Sequence, residues 1–97
     1  MSLNITLMDF SQALKMLKEG HTISREDWRD SKMFLYLVPE STYSSFTDVA
    51  KKEFGEKVQY GAYIAIKTHQ HYVVPWQPTN TDILASDWKV YSKMHSE

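Results

Sequence analysis

Ninety-seven residues, 42% apolar and 24% charged, are enough for one small globular domain and exclude a disordered chain. A formal charge of −1 gives no general field for holding DNA or RNA, and the absence of cysteine removes disulfides and thiolate metal sites. No apolar run approaches the ~20 residues of a bilayer span and the N-terminus shows no signal-peptide pattern, so no membrane partner is expected.

In chain order, Met1 to Leu7 reads as a lead-in. Phe10, Ala13, Leu14 and Leu17 then stand at i, i+3, i+4 and i+7 and predict a helix from Phe10 to Glu19. Asp9 with Gln12 resembles a capping box, and Gly20 supplies a left-handed stop. His21 to Ile23 is short and extended, and Ser24 with Asp27 opens a single helical turn that ends near Trp28. Met33 to Val38 is almost unbroken apolar and aromatic and is closed by Pro39, which predicts a well-covered strand. Glu40 to Ser45 reads as loop. A short helix is expected over Phe46 to Phe54, with Phe46, Val49, Ala50 and Phe54 on one face, Ser45 as cap and Gly55 as stop.

Ala62 to Thr68 alternates as a half-covered strand, and Tyr72 to Trp76 forms its hairpin partner through the turn His69-Gln70-His71. Gln77 to Thr81 is a proline-containing loop. Asn80 or Thr81 then caps a brief helix through Ile83, Leu84 and Ala85. Trp88 to Tyr91 is a last strand. The expected fold is α+β: a small, mainly antiparallel sheet with an N-terminal helix and short helices packed against it. One domain is expected over residues 1–97, with 1–8 and 92–97 as flexible ends.

Three Trp, six Tyr and four Phe are more rings than so small a core can hide, so several are expected at the surface, where proteins meet ligands or other subunits. The chemistry candidates are few. His69 and His71 would share a face in a strand and could reach one metal ion, but a hairpin turn loses that geometry, and no metal is expected. Neither a nucleophile elbow, a phosphate loop nor a His-Glu-x-x-His helix is present, so no catalytic residues and no cofactor are expected. Asp27, Asp82 and Asp87 could converge, though capping is the commoner role of such residues. Arg25, Trp28, Tyr36, Trp76 and Asp82 together hold what a nucleotide-like ligand needs: flat faces for a base, a guanidinium for phosphate, and a carboxylate for a ribose hydroxyl or base amine.

The order of motifs adds to this. Phe10-Ser-Gln-Ala-Leu-Lys-Met-Leu-Lys-Glu-Gly20, Ile23-Ser-Arg-Glu-Asp-Trp28 and Met33-Phe-Leu-Tyr-Leu-Val-Pro39 are followed by Tyr63-Ile-Ala-Ile-Lys-Thr68, Val74-Pro-Trp-Gln-Pro78 and Thr81-Asp-Ile-Leu-Ala-Ser-Asp-Trp88. From Phe10 to Val90 the series resembles the second Thoeris anti-defence family of small phage and prophage proteins. The resemblance implies a cytoplasmic homo-oligomer, dimer or tetramer, that sequesters a cyclic ADP-ribose-type immune signal in the bacterial host cell; some members also hold cyclic dinucleotides. Carried over by motif, it assigns ligand binding to Arg25, Trp28, Phe34, Tyr36, Trp76, Thr81 and Asp82. The chain departs from the family at His69-Gln70-His71, where a glycine turn is usual. It also departs in the helical pattern of Ser44 to Tyr60, and at Arg29, Asp30 and Ser31, which replace glycines. Two other readings stand beside this one: a phage or prophage module that inhibits a host protein through its aromatic face, and a minimal hydrolase using Asp27, Asp82 or Asp87.

Overall fold

A computed structural model describes residues 6–91. Helix α1 (Phe10–Lys18) begins at the expected capping box. The Asp9 carboxylate accepts from the Gln12 amide at 3.0 Å, and the Gln12 side chain accepts from the Asp9 amide at 3.1 Å. The chain leaves the helix through Gly20 at φ 99°, a left-handed conformation that glycine adopts without steric cost. Lys15 and Lys18 in the last turn complement the negative end of the helix dipole.

Seven strands follow, interleaved with two short helices: β1 (Ile23–Arg25), β2 (Phe34–Val38), β3 (Ser41–Ser44), α2 (Asp48–Phe54), β4 (Lys57–Tyr60), β5 (Tyr63–Lys67), β6 (Val73–Pro75), α3 (Asn80–Leu84) and β7 (Trp88–Val90). One turn of 3-10 helix, Glu26–Trp28, continues directly from β1. Five strands form an antiparallel sheet in the order β6-β5-β2-β1-β7, and β3 pairs with β4 in a separate two-stranded ribbon. The fold is therefore α+β with a mainly antiparallel sheet, as the sequence implies.

Strand alternation divides the five-stranded sheet into two unlike faces. Ile23, Leu35 and Trp88 point to the side that α1 covers. There they close with Ala13 and Leu17 into a core in which all five residues are fully buried. Phe34 and Tyr36 stand on the opposite side of β2 and stay half-buried. The expected well-covered strand is thus covered on one face only. Its apolar run serves a core on one side and a ring-bearing surface on the other.

The β5–β6 hairpin turns where expected. The Thr68 amide donates to the Tyr72 carbonyl at 2.8 Å, and His71 takes the left-handed position at φ 70°. At the edge of β6 the Trp76 amide donates to Ile64, so alternation directs position 75, a proline without an N–H, away from the sheet. At the other edge, Met8, which the sequence assigns to the lead-in, exchanges two backbone hydrogen bonds with Trp88. Residues 1–5 and 92–97 of the expected flexible ends lie outside the described residues.

Several expectations are corrected. Glu40 to Ser45 is not a loop, because Ser41–Ser44 pairs along its full length with Lys57–Tyr60. Thr42, Ser44, Lys57 and Gln59 face one way, with Thr42 donating to Gln59 at 2.7 Å, while Tyr43, Val58 and Tyr60 share the other face with Ser41. Helix α2 starts two residues later than expected. Thr47 caps it by accepting from the Ala50 amide at 3.0 Å, and the buried Ser45 hydroxyl instead donates to the Gly55 carbonyl at 2.8 Å. The apolar face of that helix is open: Phe46, Val49 and Phe54 are exposed. Helix α3 is capped by Thr79 rather than Asn80 or Thr81, because only Thr79 has a carboxylate, Asp82, three residues on to complete the capping box.

Trp88→Ala removes the largest fully buried side chain, and a loss of about 3–5 kcal/mol in urea-denaturation stability is expected. Leu84→Ser, at a largely exposed position, should change stability by less than about 0.5 kcal/mol in the same measurement.

Candidate ligand-binding site

The rings and charges singled out in the sequence fall into two groups on opposite sides of the sheet. The first is built around Trp88. Its indole meets Trp28 edge-on at 5.4 Å, Trp76 at 5.8 Å and Phe10 at 5.3 Å. The Trp88 ring nitrogen donates to the Asp82 carbonyl at 3.0 Å, fixing α3 to the end of β7. The Arg25 guanidinium lies 5.9 Å from the Trp88 ring centre and 6.0 Å from that of Trp28.

Arg25 is occupied. Its Nε donates to Asp87 at 2.8 Å and its Nη1 to Asp82 at 3.1 Å, with about 11% of the side chain exposed. The second Asp87 oxygen accepts from the Asp27 amide at 3.0 Å and so fastens the 3-10 turn as well. Burial alone would raise the Asp87 carboxyl, but the Arg25 hydrogen bond and the Asp27 amide outweigh it and hold its pKa below the ordinary carboxylate value. Burial would likewise lower Arg25, and its two carboxylate partners reverse that and raise it. Four of the seven expected ligand residues (Arg25, Trp28, Trp76 and Asp82) are brought together here, but their polar groups and much of their ring surface face one another. Thr81 is exposed on the first turn of α3, next to Asp82 in the chain.

The second group lies on the face that α1 leaves open. Phe34, Tyr36, Thr22, Lys67 and Val73 border a concavity of about 470 Å³ that reaches Gly20 and Leu37. Such a volume is within the range of small-molecule sites. The Phe34 ring is 4.7 Å from that of Tyr91 and 6.3 Å from that of Tyr36. The Lys67 ammonium sits 5.6 Å from the Phe34 ring centre and donates to the Lys32 carbonyl at 3.2 Å. Lys32 is held at φ 62° in the turn before β2, and this brings its carbonyl over the end of β5. The Thr22 hydroxyl donates to Tyr91 at 3.2 Å. A half-buried cation beside open ring faces can hold an anionic group next to a flat one.

Phe34 and Tyr36 are therefore the two expected residues that line this concavity. Lys67 is the member that the sequence reading did not single out, although it alternates with Tyr63 and Ala65 and pairs in register with Phe34. A smaller cleft of about 230 Å³ lies at the root of the β3–β4 ribbon between Tyr43, Tyr60 and Tyr63. His69 and His71 are exposed in their turn, and no group of three or more metal-binding side chains is gathered among the described residues. No helix among them is long and apolar enough to cross a membrane.

Fold and site together define a small α+β domain with an aromatic, cation-bearing concavity on one face of an antiparallel sheet. A profile of the Thoeris anti-defense 2-like domain matches residues 8–91, and the chain belongs to that family. It is 34% identical over 87 residues to the protein named Thoeris anti-defense 2 of Bacillus phage SP01, a match that spans 90% of this chain and 98% of the phage protein.

The depressed Asp87 pKa gives a stability that is present above its unfolded value of about 3.9 and is lost as pH falls through the lower folded value. Asp87→Asn should therefore lower thermal stability at neutral pH and flatten its decline below about pH 4, measured as melting temperature against pH. Arg25→Met leaves two carboxylates without their cation, and a loss of about 2–3 kcal/mol is expected in denaturant titrations.

Proposed function

We propose that this protein counters bacterial Thoeris immunity by binding and sequestering a cyclic nucleotide signal, of the cyclic ADP-ribose type or a cyclic dinucleotide, without cleaving it. Family membership supports the anti-defence role. The observation that carries the binding reading is the concavity at Phe34, Tyr36 and Lys67. Its ring faces suit an adenine or other base, and its ammonium suits a phosphate. Sequestration needs affinity without transition-state chemistry, so rings, a cation and hydroxyls are sufficient. The protein acts in the cytoplasm of the infected cell, where the signal is made, and as a homo-oligomer.

Arg25, Trp28, Trp76 and Asp82 enter this reading as the frame that holds β1, β7 and α3 in place. Their exposed edges, with Thr81, remain candidate contacts to ligand at a rim completed by another subunit.

The test is depletion. Protein is incubated with cyclic ADP-ribose isomers and cyclic dinucleotides, the filtrate is assayed, and bound ligand is released by heat. At least one nucleotide should disappear from the filtrate and return chemically unchanged. Lys67→Ala and Phe34→Ala should each weaken binding by about tenfold or more while leaving the melting temperature near that of wild type. Depletion of none of these nucleotides would overturn the proposal, and stoichiometric capture of a host protein with no bound nucleotide would put an inhibitory module in its place. A hydrolysed product would establish catalysis instead.

A further inference from the structure

Strands of unequal length leave part of β2 without a neighbour. β5 pairs with it from Phe34 opposite Lys67 to Val38 opposite Tyr63, whereas β1 meets it at Ile23 opposite Leu35 and goes no further. Continued by two residues, that register would place His21 against Leu37. The His21 amide instead donates to the Met16 carbonyl at 3.0 Å, and Gly20 at φ 99° has already turned the chain toward α1.

Alternation fixes where the Leu37 peptide groups point. The Trp76 amide donates to the Ile64 carbonyl, so Ile64 directs its main-chain groups to β6. Its partner on β2 is Leu37, which therefore occupies a position where β2 and β5 exchange no hydrogen bonds. The Leu37 N–H and C=O are aimed at the space that β1 leaves empty, and no hydrogen bond among the described residues engages either of them. The Leu37 side chain shares the α1 side with Leu35, so what half-buried Leu37 shows to the concavity is its main chain. Main-chain groups under such cover are nearly always paired.

The rest of the concavity lies in line with this donor and acceptor. Tyr36 stands beside them on the open face, and Phe34 with Lys67 across from it follows further along. At 3.3 Å per residue, the Leu37 groups are roughly 10 Å from the Phe34–Lys67 end. A nucleotide covers a comparable length from its phosphate to the far edge of its base.

We propose that the Leu37 main chain reads the base of the ligand, its N–H donating to a base acceptor and its C=O accepting from the neighbouring base N–H, with the phosphate at Lys67. The inference rests on the nucleotide reading above and adds the chemistry that the site selects: a heterocycle with an acceptor beside a donor on one edge. The amino group of adenine beside a ring nitrogen meets this requirement, as does the ring N–H of guanine beside its carbonyl. Ring faces accept any base, so the selection has to come from such a pair. A flat ligand that lacks it would strip both peptide groups of water and return nothing, the situation in which a polar site discriminates most strongly.

The test varies the ligand and leaves the chain intact. Amide hydrogen exchange of the free protein is followed by nuclear magnetic resonance. Leu37 should exchange at least about a hundredfold faster than Tyr36, whose main chain pairs with Ala65, and equal protection of the two overturns the inference. AMP is then titrated into isotope-labelled protein. It should shift the Leu37 amide signal saturably and slow its exchange, and AMP carrying two methyl groups on its amino nitrogen should bind about tenfold more weakly or worse. Lys67→Ala should weaken both ligands and leave their ratio unchanged, because cation and peptide groups act on opposite ends. Equal affinity for the two ligands, or AMP bound at Phe34 and Lys67 with Leu37 unmoved, overturns the inference while the nucleotide reading stands. Signals unmoved at all three residues by AMP and by cyclic di-AMP also overturn it, and the depletion assay then decides the nucleotide reading separately.

Discussion

Everything on the α1 side of the sheet is organised by the contact between Trp88 and the Arg25 ion pairs. The indole is the only large ring fully buried among the described residues, and its neighbours come from α1, the 3-10 turn, the loop after β6 and α3. Arg25 would be a costly charge beside it without Asp82 and Asp87. With both present, one cation joins β1 to α3 and to the turn before β7, 57 and 62 residues further on, and the second Asp87 oxygen adds the turn that carries Trp28. The arrangement spends most of the polar capacity of the chain's most nucleotide-like residues on holding the fold. The opposite face is left open to solvent.

The division into two faces explains how one run of six apolar residues supplies both a core and an open ring-bearing surface. Leu35 faces α1, and Phe34 and Tyr36 face out. Lys67, opposite Phe34 in the register of β5, turns what would be a plain aromatic patch into one with a fixed cation. The Lys32 carbonyl restrains that ammonium with a single hydrogen bond, so most of its donor capacity remains for an anion.

Much of the fold was legible because it depends on local pattern. The α1 face, its Asp9–Gln12 cap, the Gly20 stop, β2 before Pro39 and the β5–β6 hairpin all follow from residues a few positions apart. The segment from β3 to β4 was half legible. Ser41–Ser44 and Lys57–Tyr60 lack enough apolar residues for alternation to show, and the periodicity of Phe46, Val49 and Phe54 does mark a helix face, but not one covered by its own domain. At the site, residue types grouped Arg25, Trp28, Tyr36, Trp76 and Asp82, and the structure brings all but Tyr36 together. That Arg25 is satisfied internally could not be read, since its partners lie 57 and 62 residues away. Lys67 was missed because its significance depends on the β2–β5 register, which no single-strand pattern carries.

The two rims of the five-stranded sheet bear on how such a protein behaves when made in quantity. Open strand edges are templates for end-to-end growth into fibres, a hazard that rises with concentration. Here Met8 already occupies the backbone of Trp88 on one rim, and Pro75 withholds a donor on the other. Under the proposed sequestration each site is spent on one captured molecule, so the protein would have to accumulate to the level of its target, and blunted rims favour discrete particles over fibres at that concentration.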